Sequence, residues 1–293
     1  MKLSCTRLTP ALGAVAILPS GPGGPSPELA GEVHAALIEH SVLIFPNAHL
    51  DAGGMVQLGR GLGTLGVRHH SYATHPDFED VVVLTWEGDQ KPDAAEWHAD
   101  MTYRSRPPFA SILKAVEVPV VGGDTLWASM FAVHDALPPG LRSDLEHLEA
   151  VHDMGAFRTD AYLRGGDDGI AEAFARAGTA VHPVIAHHPV TGRPYLNVSE
   201  SFTRFIIGLS AAESARLLTH LFDLVNRPDF HVRLKWEVGT VVIWDNRGTQ
   251  HYAVADYLPH RRVMHRVAVM TDKRAPMPDA DDGRGAAKSP VPA

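Results

Sequence analysis

In the stretch EWHADMTYRSRPP, residues 96–108, a histidine and an aspartate stand two positions apart, His98 and Asp100. On an extended backbone residues i and i+2 point to one face, so this imidazole and carboxylate project together while Trp97, Ala99 and Met101 point the other way. Such a pair begins a site for a divalent first-row metal. Two histidines and one carboxylate, with coordination positions left open, is the ligand set associated with non-haem Fe(II) oxygenases. The candidate third ligand is His251 in WDNRGTQHYAVADY, just past a strand-like run that carries Val241 to Trp244. With 18 histidines in the chain, chance pairs are frequent, and a surface loop with incidental polar side chains is the competing reading of both segments.

The run RRVMHRVAVM, 261–270, adds a second kind of chemistry. On a strand, Arg262, Met264, Arg266 and Ala268 share one face, and Val263, His265, Val267 and Val269 share the other. The valine-rich face reads as core. Two arginines on the remaining face are unusual, because a guanidinium is costly to bury without a partner. Their Cα atoms stand roughly 13 Å apart on a strand, which suits two anions better than one. A guanidinium fork suits planar carboxylates and also sulfonate or phosphonate oxygens. A solvent-facing edge with ordinary surface arginines is the alternative.

The elements that must hold these residues are mostly strands. SVLIFP (41–46), FASILKAVEV (109–118) and DTLWAS (124–129) read as strands, the last two joined through a turn at Gly122 and Gly123. FHVRLKWEV, TVVIWDN and HRRVMHRVAVM follow as three more. A helix is expected after Ser26, with Pro27 at its first position, running to about His40. The clearest helix is SAAESARLLTHLFDLV, where Ser210 and Glu213 form a capping box and Leu217, Leu218, Leu221 and Leu224 recur at helical spacing. Strands thus flank a helical middle, which points to an antiparallel β core with decorating helices. From Lys273 onward the chain is rich in Pro, Gly, Ala and charge, and 273–293 is expected to be a disordered tail after one domain over 1–272.

Composition narrows the function classes. The 293 residues, 45% hydrophobic and 20% charged, are those of an ordinary globular chain long enough to bury a large core. A net charge of −8 leaves no basic excess to neutralise phosphates, so nucleic acid is not expected as a partner. A single cysteine, Cys5, excludes an intramolecular disulfide framework and fits a reducing cytoplasm. No apolar run reaches the length of a membrane span. LTPALGAVAILPS is interrupted by Pro10 and reads as an early strand rather than an export signal. No G-x-G-x-x-G or Walker pattern opens a helix after a strand, so nucleotide cofactors have no footing.

WHADMTY, VPVVGGDTLWAS, HPVTGRPYLNVSESFTR and WDNRGTQHYAVADYLPHRRVMHR, in that order, resemble the taurine dioxygenase (TauD/TfdA) family of Fe(II)- and 2-oxoglutarate-dependent enzymes. The similarity runs from about residue 30 to 272. It implies a mainly β fold, a distorted jelly roll (double-stranded β-helix) decorated by α-helices. It implies His98, Asp100 and His251 as iron ligands, and Thr125 with Arg262, eleven residues after His251, as the seat of the distal carboxylate of 2-oxoglutarate. Arg266 matches the arginine that holds the substrate anion in sulfonate-oxidising members. His69 and Tyr72 in RHHSY, and Phe202 in SESFTR, match substrate-pocket residues, with His70 replacing His69 if the alignment slips by one. The taurine enzymes carry an asparagine four residues before the first ligand histidine where this chain has Ala94, which puts taurine itself in doubt.

The implied reaction is hydroxylation of a small anionic substrate, coupled to O2 and to conversion of 2-oxoglutarate to succinate and CO2. An alkyl sulfonate or sulfate ester is expected as substrate, and hydroxylation of a carboxylate or phosphonate intermediate is the rival. Related halogenases lack the carboxylate ligand, so Asp100 favours hydroxylation over chlorination. A zinc hydrolase would leave Thr125 and Arg262 without a role, and a non-catalytic metal- or 2-oxoglutarate-binding protein is a third class. A homo-oligomer, dimer or tetramer, is expected.

Overall fold

The computed structural model describes residues 3–18, 25–48, 50–66, 72–89, 92, 95–155, 166, 168, 169, 171, 172, 175 and 177–275. The expectations resting on His69, His70, Ala94 and residues 276–293 lie outside these. Lys273, where the tail was expected to begin, still donates its backbone N–H to the carbonyl of Leu62 at 3.0 Å.

The described residues form β-sheets with a few helices. The largest sheet has eight strands: β1 (Cys5–Arg7), β2 (Ala14–Ala16), β3 (Val42–Phe45), β14 (Val241–Asp245), β6 (Ala110–Glu117), β16 (Arg262–Val269), β5 (Val82–Trp86) and β4 (Ala73–Thr74), in that spatial order. A three-stranded sheet, β13 (His231–Leu234), β7 (Thr125–Ser129) and β15 (Thr249–Ala253), faces it. A second three-stranded sheet, β12 (Thr203–Ile206), β8 (Glu149–His152) and β9 (Ala180–Pro183), and the hairpin β10 (Ile185–His187) with β11 (Pro194–Leu196) complete the β structure.

Period-two alternation sorts the core into layers. Val42, Ile44, Val242, Trp244, Leu113 and Met264 pack with Trp127, Val232 and Trp236 between the large sheet and the β13–β7–β15 sheet. Leu43, Phe45, Val241, Ile243, Ile112, Val267 and Val269 point to the opposite face, against α1 (Pro27–His40) and α2 (Ala52–Leu62). Beyond the small sheet lies a third apolar layer, where Ala128 and Met130 meet α5 (Ala211–Val225) through Leu218, Leu221 and Val225. The intervening helices are α3 (Met130–Asp135) and α4 (Pro139–Leu145).

The expected helices form as their caps dictate. Ser26 accepts from the Leu29 N–H ahead of α1, and the Ser210–Glu213 box closes both ways ahead of α5. LTPALGAVAILPS makes β2 (Ala14–Ala16), while β1 (Cys5–Arg7) precedes the turn around Pro10. The turn at Gly122 and Gly123 has left-handed backbone at both residues (φ 81° and 73°), as expected for glycine. It does not close a hairpin, because β6 pairs with β14 and β16 whereas β7 pairs with β13 and β15. The chain crosses there from one sheet to the other. The strand β16 is internal, flanked by β5 and β6, so its arginines are not edge residues.

Candidate metal centre

His98 and His251 are joined by their backbones. The His98 N–H donates to the His251 carbonyl at 3.1 Å and the His251 N–H donates to the His98 carbonyl at 2.8 Å, an isolated antiparallel bridge. His251 lies within its own strand, β15, opposite Trp127 of β7, rather than in a loop past a strand. The bridge sets the two imidazole centroids 4.1 Å apart. Trp97 turns away into the outer apolar layer, as the alternation requires.

Asp100 completes the group. One ligand atom from each of His98, Asp100 and His251 lies within 4.8 Å of the other two, and all three residues are buried. No other such group of three occurs among the described residues. Met101 adopts a left-handed φ of 57°, turning the chain just after Asp100. Asn246, at the end of β14, accepts from the Asp100 N–H at 2.7 Å and donates from Nδ2 to the carbonyls of Asp100 (3.0 Å) and Pro108 (3.2 Å). Ser111 of β6 donates to Asp100 Oδ2 at 2.8 Å. Sequence reasoning missed both residues. The available signal was a polar side chain inside or ending an apolar strand.

Protonation favours a cation. His98 Nδ1 donates to the Glu96 carbonyl at 2.8 Å, which leaves Nε2 as the nitrogen free to serve as a ligand atom. His251 points Nε2 to within 3.9 Å of Asp100 Oδ1. Burial and the neighbouring His98 press its pKa down to about 3 against the pull of Asp100, so the ring is neutral. Burial alone would raise the Asp100 carboxyl. Arg266, His251, His98 and the Ser111 hydroxyl together outweigh it and hold the group well below the usual carboxylate range. A neutral His251 imidazole and an ionised Asp100 carboxylate are protonation states that a divalent metal requires.

Beside the triad, Arg262 is buried with Thr125. Its Nη2 donates to Thr125 Oγ1 at 3.4 Å, and Trp236 Nε1 donates to the same oxygen at 2.9 Å. A hydroxyl that accepts twice still has its own proton to donate. The guanidinium sits among Trp86, Trp236 and Tyr257, 5.8–6.0 Å from their centroids. Burial presses its pKa down to about 10, yet among the described residues no carboxylate pairs with it. Arg262 Nε and the Tyr257 hydroxyl are buried without a hydrogen-bond partner. An aromatic box with unmatched donors fits an anionic group. Thr125 and His251 lie on paired strands two residues out of register, roughly 7 Å along the strand, so one short dicarboxylate can span from the triad to this seat.

Arg266 takes a different place, with Nη1 3.2 Å from Asp100 Oδ1 and the side chain slightly exposed. Phe202 is buried with its ring edge-on to His98 at 6.0 Å and to Tyr103 at 5.4 Å. Tyr72 is half-buried and packs against the inter-sheet core. Tyr103 and Trp236, part of this neighbourhood, were not singled out from sequence.

The sequence profile described as taurine catabolism dioxygenase TauD, TfdA family matches residues 4–268. This chain belongs to that family. An alpha-ketoglutarate-dependent sulfate ester dioxygenase of Pseudomonas putida is 36% identical over 248 residues, covering 81% of this chain and 79% of the relative. An alkylsulfatase of Acinetobacter baylyi is 34% identical over 250 residues, covering 81% of this chain and 75% of the relative. Among solved structures, a taurine dioxygenase from Burkholderia xenovorans superposes with a TM-score of 0.76 at 28% identity, covering 93% of this TauD, TfdA family chain and 90% of that one. No helix among the described residues is long and apolar enough to cross a membrane.

Proposed function

We propose that this chain is an Fe(II)- and 2-oxoglutarate-dependent dioxygenase that oxidises an alkyl sulfate ester or alkyl sulfonate. The observation that carries the reading is the pairing of the His98–Asp100–His251 triad with a buried, carboxylate-free Arg262 one short ligand away. The names of the Pseudomonas and Acinetobacter relatives favour the sulfate ester. We assign iron to His98 Nε2, Asp100 Oδ1 and His251 Nε2. A ferrous ion there supplies O2 activation, driven by oxidation of 2-oxoglutarate to succinate and CO2.

The remaining work belongs to the protein. Arg262 and the Thr125 hydroxyl hold the far carboxylate of 2-oxoglutarate through charge-assisted bonds. Arg266 holds the substrate anion, and Tyr72 and Phe202, with His69, bound its organic part, so that one C–H bond is presented at a set distance. Hydroxylation at the carbon bearing the sulfate oxygen gives an α-hydroxy ester, which collapses to an aldehyde and free sulfate. A sulfonate would give an aldehyde and sulfite. The facing sheets, the large one and β13–β7–β15, support a jelly-roll core. We read 1–272 as one dioxygenase domain of a cytoplasmic homo-oligomer.

The test is anaerobic reconstitution with Fe(II) and 2-oxoglutarate, which should produce a weak visible charge-transfer band. Admitting O2 with a panel of alkyl sulfates, sulfonates, phosphonates and aryloxy acids should then yield succinate, fastest with the alkyl sulfates. Turnover that survives without O2, with no visible band, would instead favour hydrolysis.

A further inference from the structure

Ser111 is fully buried on a central strand of the large sheet, its backbone paired to Trp244 on β14 and Ala268 on β16. It is the only polar side chain in Phe109–Leu113. Packing gives no reason for it, since alanine would fill nearly the same volume and bury no hydroxyl. Its Oγ is spent on Asp100 Oδ2, at 2.8 Å. The other carboxylate oxygen, Oδ1, faces the opposite way, toward His251 Nε2 at 3.9 Å and Arg266 Nη1 at 3.2 Å.

We propose that Ser111 is a positioning residue of the metal centre: by engaging Oδ2 it presents Oδ1 alone to the metal and keeps Asp100 a one-oxygen ligand. The proposal rests on the reading of the triad as a metal site. Asn246 cannot do this job, because all three of its bonds go to backbone atoms and none restrains rotation of the Asp100 carboxylate. Ser111 restrains that rotation directly. A carboxylate that chelates through both oxygens must give up the serine bond, and it fills a position that the cosubstrate or O2 needs. Partners beyond the ligands commonly alter metal affinity by about 10–100-fold, and a hydroxyl bond to an ionised carboxylate is roughly twice as strong as one between neutral groups.

The test uses full-length protein with Mn(II) for affinity and Co(II) for its visible ligand-field spectrum. Ser111→Ala should melt within a few degrees of wild type when metal-free. It should bind Mn(II) about tenfold more weakly and show a changed Co(II) spectrum, and Ser111→Thr, which keeps the hydroxyl, should restore both. Wild-type Mn(II) affinity and an unchanged Co(II) spectrum in Ser111→Ala would overturn the proposal. So would a loss of metal affinity matched by an equal loss of metal-free stability. Should the alanine variant fail to fold, Ser111→Cys, close in size and a poor donor, carries the same comparison. Failure of the metal reading itself looks different: wild type would not bind Mn(II), or His98→Ala would bind it as wild type does.

Discussion

Two buried groups of histidines and aspartates differ in what their side chains face. In the first, His34 Nε2 meets Asp272 Oδ1 at 2.8 Å, and Asp272 Oδ2 meets Arg247 Nη1 at 3.1 Å. Arg247 then grips Asp245 through Nε (2.9 Å) and Nη2 (2.6 Å), and Asp245 Oδ2 meets His188 Nε2 at 3.0 Å. The N–H groups of Val190 and Thr191 donate to His188 Nδ1, so Nε2 is the protonated nitrogen and donates to Asp245. The network is closed, tying α1, the segment after β16, the β14–β15 turn and the β10–β11 hairpin together. The triad of His98, Asp100 and His251 uses the same residue types at similar burial. There one ligand atom from each residue converges on the other two, with Arg266 Nη1 beside Asp100 Oδ1 at 3.2 Å. Residue type and burial are common to both, and the convergence of three ligand atoms distinguishes the triad.

Removing one member should therefore have opposite consequences in the two groups. His98→Ala should lower succinate formation by about a thousandfold or more while the metal-free protein melts near the wild-type temperature, because it strands no buried charge and frees only the Glu96 carbonyl. Arg247→Ala takes the cation from two buried carboxylates, which keep histidine and backbone donors, and should cost about 3–5 kcal/mol of stability by denaturant unfolding. If His98→Ala destabilises the metal-free protein as much as Arg247→Ala does, the distinction between a binding group and a structural one fails.

Much of this contrast was legible in sequence only on the binding side. The H-x-D spacing, the arginines of β16 and the capped helices α1 and α5 follow local rules and were readable as such. The closed network was not, because its members are scattered from His34 to Asp272 and joined only by the fold. The helix α2 escaped for a different reason. Its AGGMVQLGRGL is glycine-rich and poor in helix propensity, yet a Cβ on Gly61 would stand 2.5 Å from the Ala30 Cβ and one on Gly59 would stand 2.7 Å from Leu65 Cδ2. The glycines let α2 settle closely against α1 and its other neighbours, a tertiary demand that overrides local preference. The crossing at Gly122 and Gly123 is similar: the turn is readable, but which sheet receives the next strand depends on long-range pairing.

The two arginines of β16 extend the comparison into the site. Arg262 sits in an aromatic box where, among the described residues, the Thr125 hydroxyl is its hydrogen-bond partner, whereas Arg266 leans on the Asp100 carboxylate. Arg262→Ala should weaken 2-oxoglutarate binding to the Fe(II) protein about a hundredfold, read from titration of the visible band, since it removes a buried charge-assisted contact worth about 2–3 kcal/mol. Arg266→Ala should raise the KM for the sulfate ester about tenfold and leave 2-oxoglutarate titration nearly intact. Equal loss of both ligands in either variant would mean that the two roles are not divided as assigned.

The smallest effect separates the groups by pH. Asp245 is held well below the usual carboxylate range: burial would raise it, but Arg247 and His188 prevail. A depressed carboxylate stabilises above its unfolded value, near 4, and that contribution is lost only as pH falls below it. His251 is pressed to about 3 by burial, so between roughly 6.5 and 3 the unfolded chain binds a proton that the folded chain refuses. Stability of the metal-free protein should therefore begin to fall below about pH 6.5, by at most about 1.4 kcal/mol per pH unit for this group. Chemical unfolding at a series of pH values should show that slope reduced in His251→Asn between pH 6 and 5. Asp245→Asn should leave that interval unchanged and alter the curve only below about pH 4. A His251→Asn variant with the wild-type slope would mean that the triad histidine already carries a proton in the metal-free fold, and so would have to lose it to accept a metal.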